Sequence, residues 1–304
     1  MSCTRINIVG CGRVGKTIGY LLKDNNLVQV DGILNKSFSS ANDATKFIGQ
    51  GKACISLDDL PLAEIYFITT RDDAIQHVCD QLVSKKLLKP GSIIVHCSGS
   101  LTSGVLASAK LLNCYTASIH PIKSFAHPEF SIKNFNGTYC AIEGDEEATI
   151  HITRLFEKIG GIVFKIKKDA KKLYHAAGVL ANNYLVTLHH LAVNAYNKSG
   201  VDHETASKIT SMLMKDALQN LQGLDHTKAL TGPLQRGDVQ TIKNHVSALA
   251  EDKRTKKIYT ALGFATLELT KHSEKTKNEL MEALALDAAQ STDILDTAKI
   301  RSRL

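Results

Sequence analysis

The strongest chemical motif of the sequence is a glycine-rich turn near its beginning. Residues 10–15 read Gly-Cys-Gly-Arg-Val-Gly, the GxGxxG spacing, directly after an apolar strand pattern and before a helical one. Gly10 permits a tight turn, Gly12 lets the backbone approach a pyrophosphate, and Gly15 lets the helix pack on the strand. The motif predicts a dinucleotide site, with a turn that binds nothing as the alternative. The contacts that we expect come from Gly10, Gly12, Arg13, Val14 and Gly15.

The end of the second predicted strand selects between the two nicotinamide dinucleotides. NAD sites carry Asp or Glu there, which accepts hydrogen bonds from the ribose 2′-hydroxyl. Here Asn35, Lys36 and Ser37 follow the strand, and Asp31 lies earlier, within it. They supply donors and a positive charge where a 2′-phosphate would lie, and no carboxylate would repel it. The sequence therefore predicts NADP(H), the alternative being that the lysine is merely a solvated turn residue.

Polar side chains follow three further predicted strands. Thr69 and Thr70 follow one strand, Ser98 and Ser100 follow the next, and His120 follows a third. Doubly wound sheets bind ligands at the carboxyl ends of their strands, so we expect these residues in one cleft. The two threonines are predicted cofactor contacts, and Ser98 could contact cofactor or substrate. His120 is a substrate contact or, equally, a structural histidine.

The first long helix of the second half carries polar residues on an apolar background. At about 100° per residue, Lys172 and Asn183 lie on one stripe, and His175 and Asn182 lie on a neighbouring one. Buried polar groups need partners, and a pocket against the nucleotide-binding half would supply them. Lys171 is predicted to be solvated, like most of the lysine run around it.

The elements that position these residues alternate in the first half. Strands are predicted at Arg5–Val9, Val28–Leu34, Ile65–Thr69, Ile93–His96, Ala117–Ile119, Tyr139–Ile142 and Ile162–Ile166. Helical spacing lies between several of them, over Val14–Lys23, residues 74–83 with Asp72 or Asp73 as cap, and Glu146–Ile159. Repeated strand–helix units predict an α/β fold with a doubly wound parallel sheet, a Rossmann domain over residues 1–166.

Residues 167–304 show almost no strand signal and predict an all-helical domain for substrate binding and dimerisation. Helices are predicted over Ala170–Lys198, His203–Leu221, Val239–Leu249 and Thr255–Ser273, before a partly helical tail, Glu279–Leu304. A loop, Thr231–Asp238, interrupts them; its Arg236 could pair with Asp238 or bind a substrate carboxylate. Apolar residues occupy much of the first helix's circumference, which predicts a homodimer: Leu185, Val186, Leu188, Leu191 and Val193.

Composition excludes several classes. The 304 residues are 43% apolar with a net charge of +7 spread along the chain, which argues only weakly for nucleic acid. No apolar run approaches the roughly 20 residues of a membrane span, and no signal peptide is predicted. The seven cysteines are scattered without CxxC spacing, so we expect no metal site and free thiols in the cytoplasm.

Five segments taken together resemble one family. They are residues 10–15, 96–100, 118–125, 171–184 and 229–238, which read GCGRVG, HCSGS, SIHPIKSF, KKLYHAAGVLANNY and ALTGPLQRGD. They are similar to Rossmann-like oxidoreductases with a helical C-terminal domain of formerly unknown function, related to 6-phosphogluconate dehydrogenase and pyrroline-5-carboxylate reductase. This family includes the alternative ketopantoate reductases. The resemblance covers essentially the whole chain and implies an NAD(P)H-dependent reductase, with substrate between the domains and a dimer formed largely by the helical halves.

The resemblance also implies roles for single residues. In the superfamily a lysine on the first helix of the second domain polarises the substrate oxygen, with an asparagine one turn later. Lys172 matches the lysine, but Ala176 stands where the asparagine would be. Asn183 could supply the amide from further along the helix, or catalysis could be altered or lost.

We therefore expect an NADPH-dependent reductase of a small 2-oxo acid, with ketopantoate as the best candidate. Lys172 would protonate the developing oxyanion, with His175 as the alternative acid. Asn183 would orient the substrate, Arg236 or Ser98 would hold its carboxylate, and the other expected substrate contacts are His120 and Asn182. Two alternatives stay open: an imine reductase similar to pyrroline-5-carboxylate reductase, and a regulatory protein that binds NADP without turnover.

Overall fold

An eight-stranded sheet organises the first part of the chain. The computed structural model describes residues 4–286, and its strands have the order β3-β2-β1-β4-β5-β6-β7-β8, parallel throughout except between β6 and β7. The strands are β1 Thr4–Val9, β2 Val28–Leu34, β3 Lys52–Cys54, β4 Ile65–Ile68, β5 Ile93–His96, β6 Tyr115–Pro121, β7 Tyr139–Gly144 and β8 Ile162–Lys165. This is the order of doubly wound dinucleotide-binding sheets, so the predicted fold class is confirmed.

Helices cover both faces of this sheet. They are α1 Arg13–Asp24, α2 Phe38–Ile48, α3 Asp72–Ser84, α4 Pro128–Lys133, α5 Glu146–Lys158 and α6 Lys171–Gly178. Short 3₁₀ segments occupy Leu57–Asp59 and Ser103–Leu112. Alternate strand residues point to opposite faces, so Ile8 belongs to one buried apolar cluster and Val9 to the other. Burial on both faces explains why the strands read as continuous apolar runs.

The register of three strands places polar residues side by side. His96 of β5 pairs with Ser118 of β6, and Ser118 pairs with Glu143 of β7. All three residues are buried, in a sheet whose remaining interior is mostly apolar. Buried polar groups of this kind must find partners, which they do at the carboxyl edge of β5 and β6.

The chain divides into two compact units, a first unit Met1–Asn183 and a second unit from Tyr184 onward. The helices of the second unit are α7 Tyr184–Lys198, α8 His203–Gly223, α9 His226–Ala229, α10 Pro233–Arg236, α11 Val239–Ala248, α12 Lys253–Leu267 and α13 Glu274–Ala285. Helix α6 belongs to the first unit by its contacts. The functional domain boundary at residues 166 and 167 stays a prediction.

The long predicted helix Ala170–Lys198 is broken in the structure. Helix α6 ends at Gly178, a π-helical turn occupies Val179–Asn183, and α7 follows. A π turn inserts a residue into the helical repeat, so the angles predicted across it do not hold. Helix α12 also ends at Leu267, before the predicted Ser273. The predicted tail beyond residue 286 lies outside the described residues, and none of the described helices is long and apolar enough to cross a membrane.

Candidate functional site

The glycine-rich turn has the geometry that a pyrophosphate site needs. Gly10 has φ of 82°, in the left-handed region, and a Cβ on it would lie 2.7 Å from the backbone nitrogen of Thr70. A Cβ on Gly15 would lie 2.5 Å from the Thr69 hydroxyl oxygen, which donates to the Gly10 carbonyl at 2.9 Å. At Gly12 the nearest atom would be 3.9 Å away. The backbone is thus fixed on both sides of Gly12 and open in front of it, at the beginning of α1.

Two polar side-chain atoms are buried beside this turn without a hydrogen-bond partner among the described residues. The Thr70 hydroxyl and the Asn35 amide oxygen are buried and accept or donate no hydrogen bond among the residues that the structure describes. The amide nitrogen of Asn35 is engaged, with the Ser40 hydroxyl at 2.9 Å and the Cys11 carbonyl at 3.3 Å. Such atoms are costly to leave unpaired, so a polar ligand at this edge would satisfy them.

The end of β2 carries no carboxylate aimed at a ribose. Asp31 lies within the strand, where it accepts from Gln29 at 2.8 Å and pairs with Arg5 at 3.7 Å. Lys36 is exposed directly after the strand, and the Ser37 hydroxyl caps α2 by accepting from the Ser40 amide. The positive charge and the helix N-terminus at this edge both favour an anion.

A cavity of about 320 Å³ adjoins the turn, within the first unit. Six of the predicted site residues line it: Val14, Thr69, Thr70, Ser98, His120 and His175. Its remaining lining residues are Asp72, Cys97, Gly99, Pro121, Lys123 and Phe125. The strand ends therefore do meet in one cleft. Burial raises the pKa of the Cys97 thiol to about 12, which leaves it protonated and unsuited to nucleophilic attack.

Asp72 organises the serines of this cavity. Its Oδ2 accepts hydrogen bonds from the Ser98 hydroxyl at 2.8 Å and from the Ser100 hydroxyl at 2.7 Å. The Ser98 oxygen in turn accepts from the Leu101 amide at 3.0 Å. The predicted cap of α3, Asp72 or Asp73, is wrong: Arg71 is the N-cap residue, and both aspartates belong to the first turn of the helix.

Two histidines face each other across Gly99. The rings of His120 and His175 are 6.1 Å apart, and a Cβ on Gly99 would lie 2.6 Å from His175 Nδ1 and 2.8 Å from His120 Nε2. His120 Nδ1 is hydrogen-bonded to the Tyr174 hydroxyl at 2.8 Å. Burial, with smaller contributions from His175 and Lys171, lowers the pKa of His120 to about 4, and burial raises the pKa of Tyr174 to about 12. Both are neutral at pH 7 and can donate or accept hydrogen bonds.

The prediction for Lys171 is wrong, and the site role of Lys172 stays a prediction. Lys171, predicted to be solvated, is completely buried, and its Nζ contacts the Ser118 hydroxyl and lies 3.3 Å from Glu143 Oε1. Lys172 is exposed and does not line the cavity. The inward-facing stripe of α6 consists of buried Lys171 and half-buried Tyr174 and His175, at positions i, i+3 and i+4. Within α6 the helical periodicity gives the angle between two side chains, but it does not show which stripe of the helix packs inward.

The other predicted substrate residues do not line this cavity. Asn182 and Asn183 are exposed on the π turn, where Asn183 has an interaction of its own. Arg236 is exposed at the end of α10 in the second unit. Asp238 caps α11 by accepting from the Thr241 amide at 3.1 Å and its hydroxyl at 2.7 Å.

Sequence reasoning misses four residues of this site. They are Asp72, Gly99, Lys171 and Tyr174. The stripe formed by Lys171, Tyr174 and His175 is visible in the sequence as an i, i+3, i+4 pattern. The contacts of Asp72 and Gly99 join segments far apart in the chain, and no local pattern reports them.

Two family models match successive parts of the chain, and the second match begins within the sheet of the first unit, before β7. Residues 2–121 match the model described as a Rossmann-like domain, and residues 138–266 match a domain of unknown function, DUF2520. The chain thus carries a Rossmann-like domain followed by a DUF2520 domain, which confirms the predicted resemblance to Rossmann-like proteins with a helical C-terminal domain. None of the curated proteins searched matches the chain.

Solved structures share the fold. A Thermotoga maritima protein is 27% identical, with a TM-score of 0.70, over 87% of this chain and 98% of its own. A Bacteroides fragilis protein regarded as an NADP oxidoreductase is 19% identical, with a TM-score of 0.72, over 88% and 98%. The pyrroline carboxylate reductase of Plasmodium falciparum, solved with NADP bound, is 14% identical, with a TM-score of 0.53, over 95% and 98%. The last two likenesses are of fold alone.

Proposed function

We propose that this protein is an NADPH-dependent reductase of a small carbonyl or imine substrate. The observation that carries the proposal is the adjacency of two features: a glycine turn flanked by unpaired buried polar atoms, and a cavity lined by His120 and His175. The similar proteins from B. fragilis and P. falciparum, described with NADP, support the same class.

The chain's own residues fit the cofactor. Gly10, Gly12 and Gly15 with the first amides of α1 would hold the pyrophosphate, and Arg13, exposed at the first position of that helix, adds positive charge. Lys36 and the end of α2 would hold the 2′-phosphate, and Asn35 and Thr70 would use their unpaired oxygens. When bound, NADPH supplies a hydride to an electrophilic carbon.

His175 is the residue to which we assign proton donation. It lines the cavity beside His120, whereas Lys172 lies outside it. If Tyr174 donates to His120 Nδ1, the proton of His120 is on Nε2, from where it can donate a hydrogen bond to the developing oxyanion. The Ser98 hydroxyl, held by Asp72, would orient the substrate or the nicotinamide ribose.

The best candidate substrate is a 2-oxo acid, ketopantoate, to which the resemblance points. An imine such as pyrroline-5-carboxylate is the second candidate, because the Asp72 carboxylate on the cavity wall attracts the positive charge of a protonated imine. A protonated imine is also already activated, so it needs less help from an acid.

One experiment tests these statements in order. NADPH and NADH binding is measured first, and NADPH oxidation is then followed with ketopantoate and with pyrroline-5-carboxylate. We expect tighter binding of NADPH and turnover of one substrate. Binding without turnover of either would favour a regulatory protein, and failure to bind NADPH at millimolar concentration would contradict the proposal.

The proposal also covers the oligomeric state of the protein and its cellular compartment. Helices α7 and α8 expose large apolar side chains, Val186, Met212 and Leu213 among them, which supports a homodimer through the second unit. The six cysteines within the described residues are free thiols, which supports a reducing compartment, the cytoplasm.

A further inference from the structure

An ion pair lies buried beneath the cavity that holds the two histidines. The Lys171 side chain is 0% exposed and that of Glu143 is 3% exposed. Glu143 has both oxygens engaged, since Oε1 accepts from the Ser103 amide at 2.7 Å and Oε2 from its hydroxyl at 2.8 Å. The Lys171 ammonium also donates a hydrogen bond to the Ser118 hydroxyl. Every member therefore has a partner, which is the condition under which such a pair is tolerated.

This pair is connected to the cavity on two sides. On the sheet side, the Ser118 hydroxyl lies 3.5 Å from the Ser98 carbonyl oxygen, at the turn that carries Gly99. On the helix side, Lys171 is the first residue of α6, which presents Tyr174 and His175 one turn later. The ion pair thus joins the sheet to the helix that completes the histidine pair.

Stability alone is a weak reason for this arrangement. Burial penalises the ammonium and lowers the pKa of Lys171, although Glu143 opposes the shift. Buried ion pairs are often matched or exceeded in stability by apolar residues of similar volume. Lys171 also does not line the cavity, so it does not touch a substrate there. A positional role explains why a charge is placed at this point.

We propose that Lys171 is a positioning residue: by pairing with Glu143 and Ser118 it fixes α6 so that Tyr174 and His175 are held against His120. The proposal rests on the proposed reductase function. His120 is the group that reports on it, because its ring contacts Tyr174, His175 and Gly99 at once. Loss of the Lys171–Glu143 ion pair, the anchor of α6, would allow the helix to move and would expose the His120 ring to solvent.

Burial and the neighbouring charges together determine the pKa of His120. Burial lowers its pKa most, His175 and Lys171 lower it further, and Asp72 raises it, while Tyr174 is its neutral hydrogen-bond partner. Removing the Lys171 charge and admitting water therefore both raise the pKa of His120.

The test uses the full chain with Lys171→Met/Glu143→Gln, which removes both charges, while the Gln oxygen can still accept from the Ser103 amide and its NH2 group can donate to the Ser103 hydroxyl. Lys171→Arg is the conservative variant. The matched control is Lys85→Met/Asp58→Asn, which neutralises an exposed ion pair of the same unit, 2.6 Å long. Histidine titrations are recorded by NMR without substrate, and kcat and KM are measured with whichever substrate turns over.

We expect the buried double variant to titrate His120 at higher pH and to lose kcat by about 10- to 100-fold, the scale of a misplaced catalytic group. Its NADPH affinity should stay within about twofold, because the glycine turn is unaffected. The control should match the wild type in both measurements, and Lys171→Arg should recover most of each.

An unchanged His120 titration in the folded double variant would overturn the proposal, whatever happens to kcat, and so would an unchanged kcat. If the wild type turns over neither substrate, the reductase function fails, whereas the titration still tests the anchor. The two failures are therefore distinguishable.

Discussion

Two regions of this protein, the surroundings of the cavity in the first unit and helices α7 and α8 in the second, place polar and apolar side chains in opposite ways. The first unit buries polar residues and pairs them, as His96, Ser118 and Lys171 do beneath the cavity. The second unit exposes large apolar residues: Val186 is 68% exposed and Met212 is 54% exposed. An enzyme site needs the first pattern and an interface needs the second. The contrast agrees with our proposals that the chemistry belongs to the first region and that a second copy binds at the other.

The packing of these two regions differs as well. In the first unit a Cβ at Gly99 would lie 2.6 Å from the His175 ring and 2.8 Å from the His120 ring, so a side chain at this position would displace one of the rings. In the second unit the buried apolar cluster draws mainly on α11, α12 and α13. Helices α7 and α8 contribute their exposed apolar side chains to no such cluster in a single chain. Their faces are therefore the part of the molecule that a second copy would cover.

The largest effect should come from removing the proposed proton donor in the first unit. His175→Ala should lower kcat by about 10²- to 10⁴-fold, the range for one lost acid, with little change in NADPH affinity. The matched control is His189→Ala, a half-buried histidine on α7 that is hydrogen-bonded to the Ser211 hydroxyl at 3.0 Å. Equal kcat in the two folded variants, measured by NADPH oxidation, would break the assignment of chemistry to the first unit.

The second effect concerns the apolar faces of the second unit. Met212→Glu should convert a dimer into a monomer at micromolar concentration, because burying an unpaired charge costs several kcal/mol. Leu111→Glu is the control: Leu111 is 80% exposed in the first unit and belongs to no such face. Light scattering distinguishes the states, and a wild-type monomer at this concentration would contradict the interface.

The sequence predicts the cofactor half of the site better than the catalytic half, for a physical reason. Gly10, Thr69 and Ser98 follow strands that are clear in the sequence as apolar runs. Neighbouring parallel strands bring their carboxyl ends to one edge of the sheet, independently of how the helices pack. The burial of Lys171 instead of Lys172 depends on how α6 rotates against β6 and β7. That rotation is decided by packing, and a π turn after α6 adds a change of phase that propensities do not show.

The third effect tests whether buried histidines of the first unit cost stability in acid. Burial, with Lys171 adding to it, lowers the pKa of His96 to about 4, below its unfolded value near 6.5. Between these values the unfolded chain binds more protons than the folded one, so stability falls as pH drops from about 6.5 to about 4. The loss from His96 should be about 3 kcal/mol, at 1.36 kcal/mol per pKa unit.

Urea unfolding at pH 7 and pH 4.5 measures this loss. His96 Nδ1 accepts from the Ser98 amide at 3.1 Å, and His96→Asn keeps an acceptor at that side of the ring. The variant should be less stable than wild type at pH 7 but should lose less stability on acidification. His151→Gln, an exposed site on α5, should retain the wild-type pH dependence. An equal acid loss in His96→Asn and wild type would show that this histidine is not the titrating group.

The smallest effect concerns cofactor selection within the first unit. It compares the partly buried cavity with the exposed edge at the end of β2, which we propose selects the cofactor. Lys36→Glu should weaken NADPH binding by about 10-fold, near 1.4 kcal/mol, through repulsion of the 2′-phosphate. NADH binding should hardly change, because NADH lacks that phosphate. Lys46→Glu reverses an equally exposed charge in the last turn of α2, away from its N-terminus, and should leave both affinities unchanged. Because an exposed lysine is screened by salt, the selectivity lost in Lys36→Glu should shrink as ionic strength rises. Equal wild-type affinities for NADPH and NADH would show that this edge does not read the phosphate.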